Sequence, residues 1–106
     1  MKEPALDNKM AKFGGFEFVN NYRWLYPDGT YHKQALDFSY SLDACFKWLV
    51  PKLRYISLHY DSKRKYLVSV DGGEDAGVEV AEAETPALAL CLAISKLIEK
   101  DIDKQD

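Results

Sequence analysis

Thr85-Pro86 stands directly before a run, Ala87 to Ile98, in which apolar residues recur every three or four positions. A threonine hydroxyl can accept hydrogen bonds from the free N–H groups of a helix start. Proline suits the first helical position because its missing N–H would have no partner there. Leu90, Cys91, Ile94, Leu97 and Ile98 then share one face, so the chain is expected to end in a helix laid on a core. The residues beyond Lys100 (Asp101, Asp103, Lys104, Gln105 and Asp106) are polar, and 101–106 are expected to fray.

The rest of the chain has to supply what this helix packs against. A second helix is predicted after Ser41, where Leu42, Cys45, Phe46, Leu49 and Leu53 recur at helical spacing. Pro51 lacks a donor and crowds the preceding turn, so the helix should end at Val50 or kink near Lys47–Val50, the spacing to Leu53 favouring the kink. Three strands are predicted between the two helices. Arg54 to Tyr60 and Lys65 to Asp71 flank the polar turn 61–64, and Val78 to Glu84 follows the glycine-rich turn 72–77 and runs into the Thr85 cap. Ile56, Leu58 and Tyr60 share one face, as do Tyr66, Val68 and Val70. Pro4 to Lys12 reads as a short amphipathic helix ending before Gly14-Gly15. Phe13 to Tyr40 holds most of the chain's aromatic residues, in short extended pieces or a small hairpin around Pro27-Asp28-Gly29.

The 106 residues fit one domain, 1–106, with one core, and show no linker or internal repeat. The fold class is α+β: a three-stranded antiparallel meander packed with two main helices, plus the short N-terminal helix and the aromatic-rich section, an α/β/α-type sandwich.

Two segments resemble a known family. Phe38-Ser39-Tyr40-Ser41-Leu42-Asp43 through Val50, and Ala81 to Glu84 followed by Thr85-Pro86 and the Leu/Ala/Cys-rich helix to Ala93, are similar to the phage ABA sandwich domain of small phage and prophage proteins. In that family a Tyr-Ser-x-Asp helix start and a later acidic-Thr-Pro start are separated by strands. The resemblance covers most of the chain and departs from the pattern at Pro51 and in the long aromatic section. It implies a phage or prophage origin and a largely uncharacterised role, and carries no catalytic residues.

Composition and spacing narrow the chemistry. A formal net charge of −3 weighs against a dedicated nucleic-acid binder. Cys45 and Cys91 lie on apolar helical stripes outside any Cys-x-x-Cys pair, as expected of reduced, buried cytosolic thiols. The start lacks a signal peptide's apolar core and no run approaches a membrane span, so the expected location is the cytoplasm of a bacterial host, with no membrane partner. His32 and His59 show no metal-ligand spacing, and the acidic stretch Asp71, Glu74, Asp75, Glu79, Glu82, Glu84 departs from a calcium loop; no metal or cofactor is expected. Lys63-Arg64-Lys65 with Lys52 and Arg54 forms a basic patch beside Tyr55, Tyr60 and Tyr66, more simply a soluble hairpin tip than a nucleic-acid contact. No nucleophile elbow, phosphate loop or Cys-His pair is present, and catalytic residues are none.

The aromatic section is left. Its rings either cover the second face of the sheet or stay exposed for a partner, in which case Tyr22, Trp24, Tyr26 and Tyr31 are the candidate partner-binding residues. The leading functional reading is a non-enzymatic phage accessory protein binding an unidentified protein, a second copy of the chain among the candidates. The alternative is a small-ligand or nucleotide-binding domain with a pocket near His32 and the basic hairpin. An enzyme would need polar side chains to converge in a way no spacing announces.

Overall fold

The computed structural model describes residues 4–20, 23–33, 36–60, 65–73 and 77–104. Helix α1 (Pro4–Phe13) comes first, followed by strands β1 (Glu17–Asn20), β2 (Arg23–Leu25) and β3 (Tyr31–His32). After a 3-10 turn at Phe38–Tyr40 comes helix α2, beginning at Leu42; then β4 (Tyr55–Tyr60), β5 (Tyr66–Asp71), β6 (Val78–Ala83) and helix α3 (Pro86–Lys104). The strands form two antiparallel sheets, β1-β2-β3 and β4-β5-β6. This is the α+β class, meander and pair of main helices expected from the sequence.

α3 starts as its cap residues require: the Thr85 hydroxyl accepts from the Leu88 N–H at 3.2 Å. Ala89, Leu90, Cys91, Ala93 and Ile94 are wholly buried, and Ala87, Ser95 and Leu97 nearly so. A helix apolar on most of its circumference must be covered on most of its circumference. On one side α3 packs on β5 and β6, on another against α1 and the 3-10 turn. The helix runs over Pro86–Lys104.

α1 ends in a Schellman motif. Phe16 N donates to Ala11 O at 2.9 Å and Gly15 N to Lys12 O at 3.2 Å, the 6→1 and 5→2 pattern that a residue at positive φ allows, here Gly15 at +93°. The reversal drops Phe16 into the core.

α2 is interrupted ahead of Pro51, the region where the sequence predicts a kink or a stop. Ser41 caps it, its hydroxyl accepting from the Ala44 N–H at 3.2 Å. The winding then changes from an α-turn (Leu42–Ala44) to a π-helix (Cys45–Leu49) and a 3-10 turn (Val50–Lys52), ending at an extended Leu53. Pro51 cannot donate to the carbonyl of Lys47 and its ring would strike it; the wider π turn moves that carbonyl away. Cys45 and Leu49 face inward, while Phe46, expected on the same face, is 48% exposed. Trp48 packs on the core in its place.

In the meander, β4 pairs with β5 with Ile56 opposite Val70, Leu58 opposite Val68 and Tyr60 opposite Tyr66. β5 pairs with β6 with Val68 opposite Ala81. Val68, Val70 and Ala81 thus line the side facing α3. The outer side carries Tyr55, Leu67, Val78 and Val80, all exposed. The aromatic section therefore does not cover the sheet's second face. Its rings pack on α2: Phe16 lies 4.5 Å from Tyr26, 5.6 Å from Phe38 and 5.3 Å from Trp48, centroid to centroid. The separations and tilts are those of favourable edge-to-face pairs.

Candidate binding cleft on the N-terminal sheet

β1, β2 and β3 are short, and the register among them decides which side chains reach the surface. Leu25 stands opposite both Glu17 and Tyr31, and Trp24 opposite both Phe18 and His32. Alternation puts Arg23 on the same face as Leu25 and Tyr31, opposite to Trp24. Among the candidate residues, Trp24 is 7% exposed, Tyr26 8% and Tyr31 55%. Tyr22 lies outside the described residues. Trp24 and Tyr26 thus spend their rings on the core. Trp24 sits edge-on to Phe18 at 5.2 Å, and Tyr26 lies 4.1 Å from the His32 ring as well as against Phe16.

Beside Tyr31, Arg23, His32 and Lys33 complete the lining of an open cleft of about 480 Å³. The Arg23 guanidinium carbon lies 5.5 Å from the Tyr31 ring centroid, within cation–π range. Among the described residues no carboxylate is ion-paired with Arg23 or Lys33. His32 is held from behind. The Thr30 hydroxyl donates to Asp28 Oδ1 at 2.6 Å, so toward His32 Nε2, 2.9 Å away, it acts as acceptor. That fixes the ring with its proton on Nε2. Thr30 N donates to the same Asp28 oxygen at 3.0 Å. The Thr30 hydroxyl first, then its N–H, hold the Asp28 carboxyl below its ordinary pKa, with smaller help from the His32 and Lys47 charges. The Tyr26 hydroxyl is pushed above the usual phenol range by burial and, secondarily, by the Asp28 charge.

The cleft sets two cationic side chains, Arg23 and Lys33, beside an exposed ring, an arrangement suited to a negatively charged group carried on a planar or apolar body. Sequence reasoning named Tyr31 and His32 but missed Arg23 and Lys33. The only signal was the hairpin turn 27–29, whose register brings residues from both its strands to one place. The basic hairpin residues 61–64 lie outside the described residues, so the patch built on Lys63 and Arg64 is not described.

The other candidates are placed as follows. Cys45 and Cys91 are fully buried free thiols with sulfurs 3.8 Å apart. The hydrogen bond that the Cys91 thiol gives to the Cys45 sulfur, burial and the Cys45 and Asp7 charges push the Cys91 thiol well above its ordinary pKa. Cys45 Sγ spends its own proton on Phe38 O, to which it donates at 3.1 Å. His59 is on β4, with Nε2 2.7 Å from Ser57 Oγ. Among the described residues no three His, Cys, Asp or Glu side chains converge as a metal site, and no helix is long and apolar enough to cross a membrane.

No family model matches the chain, and no curated protein matches it. The fold is shared with a phage protein from Bacillus cereus ATCC 14579, whose crystal structure was solved at 2.0 Å. The two are 22% identical, with a TM-score of 0.71 over 93% of this chain and 89% of that one.

Proposed function

We propose that this is a phage accessory protein that works by binding, and that the Arg23–Tyr31–Lys33 cleft takes an acidic segment of a partner protein. Support for the phage setting is the fold shared with the Bacillus cereus phage protein and the resemblance of the two helix starts. The observation that carries the binding role is Tyr31: a large ring kept 55% exposed beside two cations that pair with no carboxylate among the described residues, while its neighbours Trp24 and Tyr26 are buried. Aromatic residues and arginine are the side chains most often energetically dominant at interfaces. The net charge of −3 favours a short acidic peptide over a polyanionic strand, which the rest of the surface would repel. The same side chains would suit a nucleotide, the ring on the base and the cations on phosphate, but the cleft is open rather than enclosed.

Titration of isotope-labelled protein with a short glutamate-rich peptide tests this. Amide shifts are expected at residues 23 and 31–33, lost in an Arg23→Glu/Lys33→Glu variant. No shift, or the same shift in that variant, would refute the reading. Stronger response to a mononucleotide than to the peptide would favour the nucleotide.

A further inference from the structure

The two edges of the meander are finished differently. β6 carries Glu79 and Glu82, and Lys96 of α3 reaches across to give a 2.7 Å hydrogen bond to Val80 O. Charged side chains and capped backbone groups are how proteins keep a sheet edge from pairing with another chain. β4, the opposite edge, shows none of these devices among the described residues. Its six residues, Tyr55-Ile56-Ser57-Leu58-His59-Tyr60, contain no Asp, Glu, Lys, Arg or Pro, and all pair with β5 without a bulge. Among the described residues no further strand lies beside it. On the face it shares with Val68 and Val70, α3 reaches over β5 and β6 but leaves Leu58 42% and Tyr60 59% exposed.

We infer that β4 is a self-association edge whose occupant is β4 of a second copy, paired antiparallel about a two-fold axis at Leu58. An antiparallel strand can pair with itself, and residues directly opposite each other lie on the same face. With the axis at Leu58, Leu58 meets Leu58 of the second copy, Ile56 meets Tyr60, and Ser57 meets His59. The apolar residues left uncovered by α3 thus cover one another and no like charges are opposed. The two meanders become one six-stranded sheet. This goes beyond the proposed cleft, which lies on the other sheet, and stands or falls independently of it.

The test is mass by sedimentation equilibrium on the full chain from about 10 µM to about 1 mM, the range suited to an interface this small. Wild type is expected to rise from 12.1 kDa toward twice that value. Leu58→Lys, at an exposed position, should keep its circular dichroism and stay monomeric, while Val80→Lys on the guarded edge should dimerise like wild type. Mild oxidation should cross-link Leu58→Cys to its own copy and leave Val80→Cys uncross-linked, the native thiols being buried. Constant monomer mass for wild type, doubling that survives Leu58→Lys, growth beyond two copies, or failure of Leu58→Cys to cross-link would each overturn the inference.

Discussion

Asp7 holds α1 to the rest of the molecule, and its removal gives the sharpest test of how this fold is tied together. A ten-residue helix is marginal by itself, so α1 exists because it docks. Met10 and Ala11 are fully buried, and the Asp7 carboxylate, 5% exposed, accepts a 2.8 Å hydrogen bond from the backbone N–H of Ser39 in the 3-10 turn. Asp7→Ala removes a charge-assisted bond of about 1.5–3 kcal/mol and leaves that N–H buried without a partner, a related penalty that overlaps with the first. The net cost should be roughly 2–3 kcal/mol, or on the order of 10 °C in Tm for a domain of this size. Asp7→Asn keeps an acceptor oxygen but not the charge and should cost about 1 kcal/mol. The control is Lys9, which joins the same helix to α3 through Ser95 and Glu99, both at 3.0 Å, with side chains 32% and 62% exposed for Lys9 and Glu99. A pair that wet contributes at most about 1 kcal/mol, and Lys9→Ala should cost no more. Urea denaturation of the three variants measures the order Asp7→Ala, Asp7→Asn, Lys9→Ala. If Asp7→Ala is no worse than Lys9→Ala, the buried bond is not what docks α1.

Cys91 makes stability pH-dependent on the alkaline side. Because the folded Cys91 thiol titrates above its unfolded value of about 8.5, the unfolded chain releases a proton that the folded chain keeps, and stability falls once pH passes that value. Between pH 7.5 and 9.5 the loss should be about 1.4 kcal/mol by urea denaturation and should shrink in Cys91→Ala; equal stability at both pH values would contradict the burial argument. The aromatic section should divide by role: Trp24→Ala is expected to cost about 3–5 kcal/mol and Tyr31→Ala within about 0.5 kcal/mol in the same assay. Equal costs would mean that exposure does not separate the two.

The parts of the fold that could be read from the residues are those set by neighbours close in sequence. The Thr85 cap, the α3 face and the strand phases in which Val68 and Val70 share a side depend on spacings of two to four residues, and the structure keeps them. α2 was read with less success, because a helical period assumes constant winding. Pro51 changes the winding from α to π to 3-10, so Phe46 is exposed and Trp48 takes its place against Phe16 and Tyr26.

The same contact explains why Tyr26 belongs to the core and not to a binding surface. Tyrosine and tryptophan suit both interfaces and cores, and what decides between them is a partner ring distant in sequence. Phe16 reaches Tyr26 only because Gly15 turns the chain after α1, and Trp48 reaches both only because of the π turn. Burial of Tyr26 in turn sets the cleft. Its ring lies 4.1 Å from the His32 ring, whose Nε2 is held through Thr30 by Asp28. With His32 fixed, Tyr31 beside it on β3 points to the opposite face, where Arg23 lies over its ring. The buried aromatics are thus the support on which the exposed one is displayed, so a substitution at Trp24 or Tyr26 would disturb recognition only by way of the fold.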